Sequence, residues 1–355
     1  MDAYIKGTGS FLPEKIIKNN AFLNHNFYDG LGKKSEKPVA EVVAKLEAIT
    51  GIRERRYIPD NENSIPLMTK ASRNAILDAK LQSNDIQGVI VAHNAGNMLL
   101  AGNGVQSVPN LAALLKNALK IENHDCFAYD ILFGCPGWVQ GVIQAKQALA
   151  DDSEIDNILV VGIEVASRML DPHDLDSMIF ADGCGACIVS RNKSKKTGIL
   201  SYATFSHAQD DVVCITQGES YNPDYQQNNL VKMNGRDVYK YATTWVPQVV
   251  KKALDKVGKN IDDVDMFLFH QANGKMLSAI ANNIAALYDH KDYDFEGKIP
   301  TTIEFLGNTS VATVPTMLDL IRQKKLGEFR IKKGHLVVMT SVGAGMHCNA
   351  LVYQF

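Results

Sequence analysis

Four points in this chain carry groups suited to nucleophilic chemistry. The first is Cys135, in the run Ile131-Leu-Phe-Gly-Cys-Pro-Gly-Trp138. An apolar, β-branched segment precedes it and reads as strand. An Ala-, Gln- and Leu-rich segment, 139–150, follows it and reads as helix. Pro136 suits a first helical turn, where its missing N–H costs nothing. Cys135 then stands at a strand-to-helix corner, its sulfur near the helix N-terminus. Unpaired N–H groups and the positive dipole end favour a thiolate there. That is the placement of a nucleophile. On residue type alone a buried structural cysteine is the commoner case, so the rest of the chain must supply its partners.

His270 closes the short apolar run Met266-Phe-Leu-Phe269. Asn308 stands at the start of an expected helix, and Gly343-Ala-Gly345 ends an expected strand. Singly, the histidine reads as structural, the asparagine as a helix cap and the glycines as a turn. Sites in α/β sheets collect at the carboxyl ends of strands. Spacing alone does not bring the four points together.

The elements that must position them alternate. Strands are expected over 2–9, 87–92, the segment before Cys135, 158–165 and 185–190. Helices are expected over 39–49, 68–79 and 111–119. The second part reads strand 199–205, an irregular polar stretch 206–230 and a long helix 237–257 bent at Pro247. Strand 266–269, helix 274–287, a helix from Gly307 through Leu320, and strands 335–340 and 349–355 complete it. Alternation of this kind indicates an α/β fold. The polar, Lys-rich connection 191–197 divides the chain into an N-terminal half, 1–193, and a C-terminal half, 194–355. The cluster Arg53, Arg55, Arg56 reads as a solvated loop. Cys184-x-x-Cys187 enters a strand, and without a second pair it makes no case for zinc or redox use.

The chain has 355 residues, 46% of them hydrophobic, enough for a large core. A net charge of −2 gives no electrostatic case for a nucleic-acid partner. No apolar run reaches the ~18–20 residues of a membrane span, and the first eight residues do not resemble a secretory leader. Six cysteines, mostly inside apolar runs, suit a reduced cytoplasmic setting.

Several segments, in order, resemble β-ketoacyl-acyl carrier protein synthase III, of the thiolase-like superfamily. They are Lys6-Gly-Thr-Gly-Ser-Phe-Leu-Pro13, Thr50-Gly-Ile-Arg-Glu-Arg55, the Cys135 corner and Asp182-Gly-x-Gly-Ala186. Met233-Asn-Gly235, His270-Gln-Ala-Asn273, Gly307-Asn-Thr-Ser310 and the terminal Gly-Ala-Gly follow. The resemblance covers nearly the whole chain. It implies a five-layer αβαβα fold of two pseudo-symmetric halves, and a homodimer. It implies that Cys135 is acylated and that His270 and Asn308 activate a malonyl thioester. The backbone N–H groups of Cys135 and Gly345 would form the oxyanion hole. Arg168, Gly235, Asn273, Lys240 and Lys275 would contact substrate or carrier. By charge alone, Lys251, Lys252 and Lys256 read either as an extension of that basic rim or as a solvated helix face. Acyl carrier protein is the implied partner, with CoA thioesters as further substrates. No metal or other cofactor is implied.

The chemistry agrees with that assignment. A covalent thioester splits a difficult transfer into two easier steps. Decarboxylation of a malonyl group develops an enolate, which neutral His and Asn donors can stabilise.

The chain also departs from the family. The usual Trp and Arg ahead of Thr50-Gly-Ile-Arg are missing. The loop after the first core strand is His93-Asn-Ala-Gly-Asn97, and the terminal glycines are followed by Met346-His-Cys-Asn349. These changes keep a second reading open, a condensing enzyme of dialkylresorcinol or quinolone type that joins an acyl thioester to a β-ketoacyl thioester. A 3-hydroxy-3-methylglutaryl-CoA synthase needs a carboxylic acid ahead of the cysteine, and residues 93–121 contain no Asp or Glu. A non-catalytic partner subunit is a third reading, opposed by the complete Cys, His and Asn set.

Overall fold

The computed structural model describes residues 2–98, 105–192 and 197–355. Two sheets carry the fold. The first orders Asp2–Phe11, Asp182–Asn192, Asn157–Val165, Gly88–His93 and Phe127–Leu132. Its last three strands are parallel and its first two antiparallel to their neighbours. The second orders Gly198–Ser206, His347–Gln354, Leu336–Gly343 and Met266–Phe269, with only its last pair parallel. Four strands of each sheet thus match in order and direction. This is the expected pseudo-symmetry.

Helices Gly137–Asp151 and Thr313–Arg322 lie between the sheets and touch strands of both. Residues 313–321 are buried on every side, whereas the first helix buries a broad apolar face and leaves Gln147, Ala150 and Asp151 exposed. Trp138, Val142, Ile143, Met317 and Leu318 share one core with Ile90 and Val160 of the first sheet and Met339 and Leu351 of the second. Ser64–Asp78 and Leu111–Ala118 cover the outer face of the first sheet. Gly235–Asp255 and Gly274–Ala286 cover the outer face of the second. The result is the five-layer αβαβα arrangement. Covering both faces explains why the central strands read as unbroken apolar runs.

Several expectations need correction. The strand leading to Cys135 is an edge strand, with Tyr129 and Leu132 exposed. The expected helix over 68–79 starts at Ser64, because the Asn63 side chain accepts the Ile65 N–H at 3.0 Å and caps it. The irregular stretch 206–230 contains Ile215–Gly218, which pairs with Leu230–Met233. Arg55 is fully buried rather than solvated. Its guanidinium donates to Ile17 O, Asn19 Oδ1 and Met178 O, which replace its water. The helix expected from Gly307 begins at Thr313, after a short 3₁₀ turn Ser310–Ala312. Asn308 is held instead in a bridge to Phe180, and Ser310 has φ +51°, outside helical geometry. The expected boundary at 193/194 lies outside the described residues. Cys184 and Cys187 project into different cores on opposite faces of their strand, so they do not form a pair.

Candidate active site

Cys135 stands where the edge strand turns into the central helix. The Gly137 N–H donates to Gly134 O at 3.0 Å, closing the turn, and Pro136 occupies the helix cap position. Asn349, on the last strand of the second sheet, donates to Pro136 O at 3.0 Å. This bond ties the corner to the other half. Gly343 comes so close that a Cβ there would lie 2.5 Å from the Cys135 nitrogen and 3.0 Å from its sulfur. Only glycine lets the two backbones meet at that distance.

His270 ends its strand with its N–H on Thr340 O, 3.0 Å away. Burial pulls its pKa down from 6.5 to about 4, so the ring is neutral near pH 7. Asn308 is gripped on both sides by backbone: its N–H donates to Ile179 O, and its O accepts the Ala181 N–H, both at 2.9 Å. Gly307 makes that grip accessible with φ +65° and ψ −160°, a conformation that a side chain would strain.

Cys135, His270 and Asn308 line one cavity of about 440 Å³, together with Gly345 and Ala344. An outer cleft of about 1040 Å³ adjoins it. Met233, Val238, Ala272, Met276 and Asn308 line both spaces. Three residues far apart in sequence are therefore at the inner end of one passage. Gly235 and Asn273 line the outer cleft, where Lys33, Lys34, Lys37 and Lys45 also stand. Asn273 also caps its helix, accepting the Lys275 N–H at 2.9 Å.

Other expected contacts fall elsewhere. Arg168 lines neither space. Its guanidinium donates to Pro59 O at 2.8 Å and to Glu62 O at 3.2 Å, and holds that loop. A guanidinium already committed to two carbonyls is unsuited to gripping a substrate. Lys240 and Lys275 are exposed beside cleft residues without lining the cleft. Lys240 pairs with Asp237 at 3.1 Å. Lys251, Lys252 and Lys256 lie roughly 16 Å or more farther along the same helix direction. Lys251 pairs with Asp255, Lys252 lies over the Phe205 ring and Lys256 holds Tyr202 O. The expected rim thus contracts to Lys240 and Lys275.

The expectation of a favoured thiolate is not met in the resting site. Burial pushes the Cys135 thiol up to about 12, and the charge of Glu164 adds to the effect. A hydrogen bond with Ser310, whose Oγ lies 3.3 Å from the sulfur, opposes both. Glu164 and Ser310 are cavity residues absent from the sequence-based site, as is Asn94. Glu164 had a visible signal: it is the one charged side chain within the apolar strand Asn157–Val165. His347 also lines the cavity, stacked on Phe133 with ring centroids 4.2 Å apart. Its Nδ1 is 2.8 Å from Ser206 Oγ.

Two interlocked βαβ-based halves with a cysteine at the central helix corner define a thiolase-type condensing fold. Residues 129–208 match the family described as 3-oxoacyl-[acyl-carrier-protein] synthase III, and residues 254–355 match its C-terminal part. A β-ketoacyl-[acyl-carrier-protein] synthase III of Staphylococcus aureus strain Newman is 30% identical over 356 aligned positions, covering 100% of this chain and 99% of that protein. One from Wolbachia pipientis wMel is 28% identical, covering 99% of each. The crystal structure of 3-oxoacyl-[acyl-carrier-protein] synthase III from Aquifex aeolicus VF5 superimposes with a TM-score of 0.80 at 24% identity, covering 99% of this chain and 100% of that one. The chain belongs to the β-ketoacyl-acyl carrier protein synthase III family.

Proposed function

We propose that the protein is a condensing enzyme of fatty acid synthesis that loads an acyl group from a thioester onto Cys135. Decarboxylative condensation with malonyl-acyl carrier protein follows. The observation that carries this reading is the convergence of Cys135, His270 and Asn308 on one cavity behind an outer cleft. A pantetheine arm would thread the cleft, and Lys33, Lys34, Lys37 and Lys45 suit its phosphate end. Lys240 and Lys275 flank the cleft and suit an acidic carrier protein.

In the first step the sulfur attacks the acyl carbonyl. Backbone N–H groups of Cys135 and of the Gly343–Gly345 loop would stabilise the oxyanion. In the second, the neutral His270 ring and the Asn308 amide donate to the enolate oxygen formed as carbon dioxide leaves. The nucleophilic carbon then takes the acyl group and releases Cys135. The free edge of Phe127–Leu132, with Leu132 70% exposed, supports pairing with a second copy as a homodimer. The family reading goes with a cytoplasmic enzyme; among the described residues no helix is long and apolar enough to cross a membrane.

A second reading joins the Cys135-bound acyl group to a β-ketoacyl thioester. Thr216, Gln217 and His347 on the cavity wall favour it, since they can bind a second acceptor oxygen. One experiment tests both readings. The protein is incubated with C2 to C12 acyl-CoA or acyl-carrier protein, then with either acceptor. Intact-protein mass spectrometry should show an acyl adduct on Cys135, and product mass identifies the acceptor. No adduct with any donor overturns both readings.

A further inference from the structure

The resting thiol must lose its proton before it can attack, and polar groups stand beside it. The Cys135 sulfur lies 3.3 Å from Ser310 Oγ. The Asn94 amide donates to the same Oγ at 2.8 Å and also to the Glu164 carboxylate. One amide nitrogen thus holds the Ser310 hydroxyl and the Glu164 carboxylate beside each other, and Ser310 is among the groups that lower the Glu164 pKa. Glu164 is 3% exposed, and among the described residues no lysine or arginine neutralises it; its hydrogen-bond donor is the Asn94 amide. An unpaired buried carboxylate of this kind is costly unless it has work to do. Ser310 is likewise held at φ +51°, a conformation that most side chains avoid. Its N–H on Asn308 Oδ1 at 2.8 Å helps to fix that conformation, with the hydroxyl beside the Cys135 sulfur.

We propose that Ser310 and Glu164 form a proton relay for Cys135, in which Ser310 contacts the reacting sulfur and Glu164 acts through it. As the sulfur attacks the acyl carbonyl, its proton passes to Ser310 Oγ and the Ser310 proton passes to Glu164. The new carbon–sulfur bond forms, the tetrahedral intermediate collapses, and the carbon–sulfur bond to the donor breaks. Glu164 then returns one proton, through the cavity that it lines, to the departing thiolate. The step balances as Cys135 thiol plus acyl thioester giving acyl-Cys135 plus free thiol, with no other reactant. The acyl part rests on the function proposed above; the deprotonation part does not.

The carboxyl's surroundings set the expected pH range. Burial raises its pKa from 4.5 to about 7, Asp182 raises it further, and Asn94, Ser310 and His93 lower it. Cys135 and His270 face the same cavity. Glu164 is therefore ionised, and able to accept a proton, above neutral pH.

The test uses iodoacetamide, which reports thiol deprotonation without any acyl donor. Alkylation of the Cys135 peptide is followed by mass spectrometry from pH 5 to 10 in the full-length protein. The wild type should show a rise in rate with an inflection near neutral pH. In Glu164→Gln the inflection should vanish and the rate at pH 8 should fall at least tenfold, with Glu164→Asp recovering part of it. Ser310→Gly removes the hydroxyl while fitting the positive φ, so it should fold as well as wild type and lose the inflection too. Should Glu164→Gln not fold, Ser310→Gly decides. A faster alkylation in Glu164→Gln would show that the carboxylate merely repels the thiolate, and would overturn the relay. So would an unchanged profile in Ser310→Gly. A missing acyl adduct with a normal alkylation profile would instead count against the acyl-transfer reading alone.

Discussion

Asn308 Oδ1 accepts the backbone N–H of Ser310 at 2.8 Å, two residues ahead in the chain. The oxygen is thereby occupied, and the amide nitrogen is the atom left to face the cavity. Asn308→Asp keeps the acceptor and deletes the donor. Acylation of Cys135 should persist, while condensation should fall by about 10²–10³-fold, the usual cost of one oxyanion donor. Stopped-flow acylation and product formation, measured separately, check the division. Equal loss in both steps would remove Asn308 from the enolate role.

His270 predicts a pH dependence of stability with a definite sign. Its pKa is lowered from 6.5 to about 4 by burial. The unfolded chain therefore binds the proton more readily than the folded one. Its contribution to stability is fully present above about pH 6.5 and is lost as pH falls toward 4. The full span is worth roughly 3 kcal/mol. Urea unfolding at pH 7.5, 5.5 and 4.5 should show this decline, and His270→Ala should flatten it. An unchanged slope in the variant would show that other groups set the acid limit.

Arg168 is expected to matter for stability and not for binding. Its removal leaves Pro59 O and Glu62 O without their donor. Arg168→Ala should lower stability by about 1–3 kcal/mol and leave KM for the acyl carrier protein within a factor of two. A tenfold rise in KM with unchanged thermal stability would restore the binding role.

The exposed edge beginning at Phe127 predicts an assembly defect. A charge at its end should oppose edge-to-edge pairing. Leu132→Glu should shift the protein from dimer toward monomer in sedimentation velocity. Since Leu132 also lines the cavity, mass rather than activity is the deciding measurement. A monomeric wild type would overturn the expectation.

Cys135 was legible because its corner is local: apolar strand, Gly-Cys-Pro-Gly and helix formers lie within about twenty residues. His270 and Asn308 were legible only as motifs in a fixed order. Nothing local distinguishes His270 from a structural histidine, or Asn308 from a helix cap. The α/β class followed from the alternation of strands and helices, and helix 139–150 from its Ala-, Gln- and Leu-rich composition. The pairing of Ile215–Gly218 with Leu230–Met233 was missed because each strand has only four residues and the first is largely polar and exposed. Arg55 was misread because burial of a charge depends on carbonyls that long-range folding delivers.

The sequence by itself determined Cys135 as the candidate nucleophile, its strand-to-helix corner and the order of motifs that places this chain in its family. Tertiary structure alone decided the rest. It brought three residues spread over 174 positions, from Cys135 to Asn308, to one cavity. It also reversed the expected state of the thiol, because the helix terminus is a local effect whereas desolvation and the Glu164 charge come from packing. Electrostatics depends on distance in space. Residue spacing records only distance along the chain, so the corner was visible while the relay behind it was not.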